Sequence, residues 1–271
     1  MQKKTSFLSK AFVLCIFSAL VFALLHTYVI IKFVEPSILH FLKGTTLPYV
    51  LYGAFALVLA LFLLCAYLYK GEFSHTGKES AFGSFANVLC AVIFLSTFAF
   101  LAISFAKLFF IDSVPFAFIG FMPVLTMFFA LLSGIYFLLL CLPKSSDMTR
   151  AFFSLAPVIF SILLLLERLL DTETNMNSPL KNIHIISICA MTVYLLLESK
   201  LSVGKVLGTA QNFKNLFAFC ILFVSLCLFI TFPHTLLCAF WEIVPPYSLL
   251  FDMTELALIF PALARMKALI K

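Results

Sequence analysis

Long apolar runs dominate the pattern along this chain, and short polar segments separate them. A helix needs about 20 mainly apolar residues to cross about 30 Å of hydrocarbon. Four runs without Asp, Glu, Lys or Arg meet this length, at 11–31, 47–69, 84–106 and 116–142. A fifth charge-free run begins at Asn215, and Pro233 predicts that its helix ends near Thr231, which gives a span over 215–232.

Three weaker runs contain ionisable residues near their ends. They are 151–170 with Glu167 and Arg168, 183–201 with His184 and Glu198, and 247–264 with Asp252 and Glu255. A membrane tolerates charge near the ends of a helix better than at its centre. The pattern therefore predicts an all-α transmembrane helical bundle of about eight spans, organised as a single membrane domain over residues 1–271.

The positions of the basic residues predict the orientation of these spans. Short cytoplasmic loops of membrane proteins are enriched in Lys and Arg. If the N-terminus is cytoplasmic, the inner segments hold thirteen of the 18 basic residues and the outer segments hold five. Deleting any weak span would break this alternation. We therefore expect both termini in the cytoplasm and a multi-pass protein of the cell membrane, surrounded by the lipid bilayer.

Composition excludes a water-soluble protein. The chain is 63% hydrophobic and 11% charged, whereas soluble domains are about half apolar and about a quarter charged. The net charge of +6 does not indicate a nucleic-acid partner, because the basic residues lie between apolar runs instead of forming one patch. The eight cysteines form no CxxC pair and lie in or beside the apolar runs, so we expect small buried side chains.

Acidic residues on the predicted outer side suggest a candidate site. Asp252 and Glu255 are three residues apart, so a helix places them on one side, at depths of about 7 and 12 Å. His26 lies at a similar depth in the first span, and Glu167 and Arg168 lie near the outer surface. Ionisable residues at such depths face the bundle interior and have partners, which makes Arg168 the expected counter-ion.

Two interpretations of these residues remain open. In the first, they line an outward-facing polar pocket that binds or transports a cation, a proton or a small polar solute, with Asp252 and Glu255 as ligands. In the second, the chain is an accessory or sensory membrane subunit in which the ion pairs only join helices, and His26 is a hydrogen-bonded interfacial side chain.

Motifs for other chemistry are missing from the sequence. No HxxxH or HExxH spacing sets two metal ligands on one helix face, so we expect no metal site and no cofactor. The chain also lacks GxSxG and a P-loop, which favours a protein without enzymatic activity. Catalytic groups assembled from several helices stay open as an alternative.

Three short stretches carry a resemblance to known proteins: SFANVLC at Ser84–Cys90, LLLESKLSVGK at Leu195–Lys205 and ELALIFPALARM at Glu255–Met266. They resemble segments of uncharacterised multi-pass integral membrane proteins of clostridial-type bacteria. The resemblance implies a Gram-positive plasma membrane. It implies no particular activity, so no functional residue is carried over from it.

Overall fold

The computed structural model of the chain describes residues 2–35, 40–69, 81–112, 121–142, 146–170, 178–202, 210–241 and 246–269. Almost all of these residues are helical. The α-helices are α1 (Gln2–Phe33), α2 (Leu47–Leu68), α3 (Ala81–Ala106), α4 (Met122–Cys141), α5 (Asp147–Phe153), α6 (Ala156–Leu170), α7 (Pro179–Ser202), α8 (Ala210–Trp241) and α9 (Pro246–Leu269). A π-helical turn, Lys107–Ile111, extends α3, and the two-residue strands β1 (Val34–Glu35) and β2 (His40–Phe41) pair antiparallel after α1.

Seven helices within the described ranges are long and apolar enough to cross a membrane. They cover Lys10–Phe33, Leu47–Leu68, Ala81–Ile111, Met122–Cys141, Met148–Leu170, Pro179–Ser202 and Asn212–Leu236. The fifth of these combines α5 with α6. The last helix, α9, has a comparable length of 24 residues but contains Asp252, Glu255 and Arg265. The prediction of an all-α transmembrane bundle is therefore confirmed.

The helix α8 forms the centre of the bundle. It packs against α1, α2, α7 and α9, while α3 packs against α9 and α4, and α6 packs against α4 and α7. Phe217, Phe223 and Phe229 of α8 are all buried. A helix that is apolar on every side is stable only when other elements surround it. Large exposed apolar side chains, such as Val50, Leu57 and Ile103, lie on the peripheral helices instead, as expected of surfaces that face lipid.

The prediction that the helix ends near Thr231 is wrong, because α8 continues through Pro233 to Trp241. Proline has no N–H, so the carbonyl of Phe229, four residues earlier, has no helical donor. His26 on α1 replaces that donor: its Nδ1 lies 2.6 Å from the Phe229 oxygen. A side chain from a neighbouring helix thus satisfies the carbonyl that Pro233 leaves without a backbone partner.

The same arrangement occurs at Pro261, which lies inside α9. Its missing N–H leaves the carbonyl of Ala257 without a helical donor. The thiol of Cys90 on α3 donates to this oxygen, with Sγ at 3.2 Å. Each of the two prolines within these helices is therefore compensated by a side chain of a packed neighbour, and neither helix is interrupted.

Candidate functional site: a His–acid cluster between four helices

Five ionisable side chains from four helices meet at one end of the bundle. Arg168 lies in the last turn of α6, His184 in the second turn of α7, His234 near the end of α8, and Asp252 and Glu255 near the start of α9. We call these five residues the His–acid cluster. The antiparallel course of successive helices brings these helix ends to the same level.

Asp252 lies at the centre of the cluster and is 0% exposed. Its Oδ2 accepts a hydrogen bond from His234 Nδ1 at 2.5 Å. Its Oδ1 lies 3.6 Å from Arg168 Nη2 and 3.7 Å from His184 Nε2. Both distances exceed those of a good hydrogen bond. Within the described part of the chain, Asp252 Oδ1 and Arg168 Nη2 are buried atoms without a hydrogen-bond partner.

Glu255, one helical turn further along α9, is also buried. Its Oε1 accepts a hydrogen bond from His184 Nε2 at 3.0 Å, and its Oε2 accepts one from the Thr231 hydroxyl at 2.9 Å. Both carboxylate oxygens are therefore satisfied and held in place. The rings of His184 and His234 lie 5.4 Å apart, so the two imidazoles flank the two acids from neighbouring helices.

Acids outnumber permanently charged bases in the cluster. Two buried carboxylates face one guanidinium, and the two imidazoles contact the same acids. Burial of an uncompensated charge is costly, because the protein interior replaces the solvation that water provides. Chemically, the arrangement suits a cation, which would contact Asp252 Oδ1 and neighbouring imidazole nitrogens.

The structure brings together three of the five residues that the sequence singled out: Asp252, Glu255 and Arg168. Glu167, one residue before Arg168, is half-buried. Among the described residues, the hydrogen bonds of Asp252 and Glu255 come from His184, Thr231 and His234. A substrate-binding role for any of these residues stays a prediction.

His26 lies apart from the cluster, on the side of α8 that packs against α1 and α2. Besides its bond to the Phe229 carbonyl, its Nε2 lies 2.9 Å from the Tyr52 hydroxyl. Because Nδ1 donates to a carbonyl, Nε2 is the acceptor in a neutral imidazole. The ring also stacks on Phe229 at a centroid distance of 4.6 Å. Its hydrogen-bonding capacity is therefore filled by helix packing.

The sequence did not single out His184 and His234 as site residues, although both are central to the cluster. In the predicted topology, His184 lies near the outer end of the sixth span and His234 follows the outer end of the seventh, and this position is the signal that the sequence offers. Their ligand atoms and that of Asp252 all lie within 4.8 Å of one another. The expectation of no metal site rested on spacing within one helix, and it does not bear on ligands that three helices supply.

A second polar contact lies at the other end of α7 and α9, about 20 Å from the cluster at 1.5 Å per residue. Arg265 Nε donates to Glu198 Oε2 at 3.0 Å, and Arg265 Nη2 donates to Glu198 Oε1. One guanidinium thus meets one carboxylate in a two-pronged ion pair, the geometry that Arg favours. This Glu198–Arg265 pair is complete, and it offers no surplus charge to a ligand.

Comparison of the chain with protein-family models, with curated proteins and with solved structures finds no match in any of the three. The class of protein therefore follows from the fold and the cluster. The chain is a helical multi-pass membrane protein with a buried group of ionisable residues between four helices.

Proposed function

We propose that this protein binds a small cation, or the cationic group of a small solute, in the His–acid cluster as a step in its transport across the membrane. The observation that supports this most is the pair of buried carboxylates beside a single guanidinium, with Asp252 Oδ1 buried and, among the described residues, without a hydrogen-bond partner. Ionisable residues within membrane spans are costly to keep, and they mark ion and substrate pathways more often than other positions do.

The orientation is part of the same proposal. The thirteen-to-five distribution of basic residues supports an orientation with both termini in the cytoplasm and the cluster near the outer surface of the cell membrane. Arg168 and His234, whose side chains are 19% and 24% exposed, form the accessible rim of the cluster, and the two acids lie beneath them. A cation would enter from outside and reach Asp252 before Glu255.

A thermal-shift experiment on the purified full-length protein tests the binding step. A ligand that binds only the folded state raises the unfolding midpoint, by an amount that grows with its concentration over Kd. We expect a member of a panel of Na⁺, K⁺, Mg²⁺, Ca²⁺, Mn²⁺, Zn²⁺ and small organic cations to stabilise the wild type but not Glu255→Gln. The Glu198→Gln/Arg265→Gln double variant, which removes the partly exposed ion pair at the other end of the bundle, is the matched control and should retain the response.

Uptake of the same cation into proteoliposomes tests the transport step. We expect flux with the wild type and none with Glu255→Gln. Stabilisation that is equal in wild type and Glu255→Gln would contradict the binding site. Binding at the cluster without flux would instead favour an accessory or sensory subunit. Reporter fusions at each terminus that fluoresce only in the cytoplasm check the orientation.

A further inference from the structure

The histidines of the cluster narrow the class of cation that it would select. Alkali and alkaline-earth ions prefer oxygen ligands, whereas imidazole nitrogen combined with carboxylate suits Zn²⁺ and neighbouring divalent transition metals. His184 Nε2, His234 Nδ1 and a carboxylate oxygen of Asp252 converge on one point from three helices. We infer that the His–acid cluster is a binding site for a divalent transition metal ion of the Zn²⁺ type. This inference deepens the proposed function, because it rests on the cluster being the cation site.

The distances within the cluster fit such an ion. Around tetrahedral Zn²⁺, with nitrogen and oxygen ligands at about 2.0–2.2 Å, ligand atoms lie about 3.3 Å from one another. Here the pairs of candidate ligand atoms are separated by 2.5 Å (His234 to Asp252 Oδ2), 3.0 Å (His184 to Glu255) and 3.7 Å (His184 to Asp252 Oδ1). Side-chain shifts of about 1 Å are enough to place three or four of these atoms around one metal ion.

The surrounding residues supply the support that metal ligands need. Thr231 donates to Glu255 Oε2 and orients that carboxylate, so its other oxygen, which accepts from His184 in this state, is placed to serve as a fourth ligand once that nitrogen binds the metal. Outer contacts of this kind fix ligand orientation in metal sites. The ligand nitrogens of His184 and His234 donate to carboxylates in this state, and each imidazole would move its proton to its other nitrogen to bind the metal. That change of tautomer leaves the charge of both rings unchanged.

Arg168 has a specific part in this inference. Its guanidinium lies beside Asp252 Oδ1 without a hydrogen bond to it, at the position that a bound metal ion would occupy. Since the two cations repel each other, the metal displaces Arg168, whose partial exposure at the end of α6 gives it room to move outward. Arg168 thus acts as the counter-ion of the metal-free state. Removing it should strengthen metal binding, whereas removing a ligand should weaken it.

Competition between the full-length protein in detergent and a fluorescent Zn²⁺ chelator tests the site. We expect one Zn²⁺ per wild-type chain, an affinity at least about tenfold lower for His184→Gln, His234→Gln and Asp252→Asn, and an affinity several-fold higher for Arg168→Gln. His26→Gln and the Glu198→Gln/Arg265→Gln double variant are the matched controls, and each should bind as the wild type does. Equal affinities for the wild type and the His184→Gln/His234→Gln double variant would overturn the inference, as would unchanged or weaker binding by Arg168→Gln.

X-ray absorption spectroscopy at the zinc edge of the Zn²⁺-loaded wild type tests the ligands directly, without a variant that could fail to fold. Nitrogen and oxygen neighbours at about 2.0–2.2 Å with the imidazole signature support the site, and sulfur neighbours at about 2.3 Å overturn it in favour of cysteine binding.

The proposed transport and the proposed metal site can fail separately. Absence of Zn²⁺ binding together with Glu255-dependent stabilisation by another cation overturns this inference alone. Zn²⁺ bound at the cluster without flux overturns transport alone.

Discussion

The two ionic contacts between α7 and α9 differ in one respect that separates a structural contact from a candidate binding site. The Glu198–Arg265 pair matches one acid with one base through two parallel contacts. The His–acid cluster sets two carboxylates against one guanidinium, and within the described part of the chain one polar atom each of Asp252 and Arg168 has no hydrogen bond. The two ends of the bundle therefore differ in how acids are matched to guanidinium groups and in how completely their polar atoms are hydrogen-bonded.

The largest expected effect comes from breaking the balanced pair. Glu198→Gln leaves Arg265 without a compensating charge, which should destabilise the protein by about 3 kcal/mol or more. The thermal unfolding midpoint in detergent measures this loss. The double variant Glu198→Gln/Arg265→Gln removes both charges and should be more stable than the single variant. A single variant as stable as the wild type would mean that the pair contributes nothing.

An intermediate effect is expected at His26, a buried polar side chain that belongs to neither ionic contact. His26→Leu leaves the Phe229 carbonyl without a donor, which should cost about 1–3 kcal/mol. Pro233→Ala restores a backbone N–H opposite that carbonyl, so the same His26→Leu change should cost clearly less in a Pro233→Ala background. Thermal unfolding of the four proteins of this double-mutant cycle provides the measurement. Equal costs in both backgrounds would show that His26 does not compensate for the proline.

A small effect of the opposite sign is expected in the His–acid cluster. Glu255→Gln removes one of the two buried carboxylate charges, and the amide retains contacts to His184 and Thr231, because a Thr hydroxyl both donates and accepts. In the absence of a cation this variant should be as stable as the wild type or more stable by about 1 kcal/mol. A loss of stability as large as that of Glu198→Gln would contradict the difference proposed between the His–acid cluster and the Glu198–Arg265 pair.

An effect of similar size, but a loss of stability, is expected at Cys90, whose thiol compensates for Pro261. Because a thiol is a weak donor, Cys90→Ala should cost about 1 kcal/mol, less than His26→Leu. Cys90→Ser supplies a stronger donor at the same position and serves as the comparison variant. Differential scanning fluorimetry of the three proteins measures the order. A larger loss for Cys90→Ala than for His26→Leu would show that packing, and not the bond to Ala257, dominates this position.

Hydropathy predicted the helices well because membrane spans are defined by local composition. The three-residue spacing of Asp252 and Glu255 predicted that they share one side of a helix, and their predicted depth made Arg168 the expected counter-ion. The remaining parts of the site depend on which helices touch, and composition contains little of that information. His184 and His234 contribute from two other helices, and His26 packs on a different side of α8, the side that faces α1 and α2.

The continuation of α8 beyond Thr231 had a similar cause. A proline ends a helix when the carbonyl that it deprives of a donor finds no other donor. Here the replacement comes from His26, which is 203 positions away in sequence. Local rules cannot include such a partner, so the helix end was predicted too early.

The contacts at both ends of α7 and α9 also have a mechanical consequence. His184 contacts Glu255 at one end, and Glu198 contacts Arg265 at the other, so side-chain contacts join the two helices near both ends while α8 packs against each of them. These two contacts oppose a sliding movement of α7 and α9 past each other along their axes. The alternating access that the proposed transport requires would therefore turn α7 and α9 together around α8, or break one of these two contacts at a time.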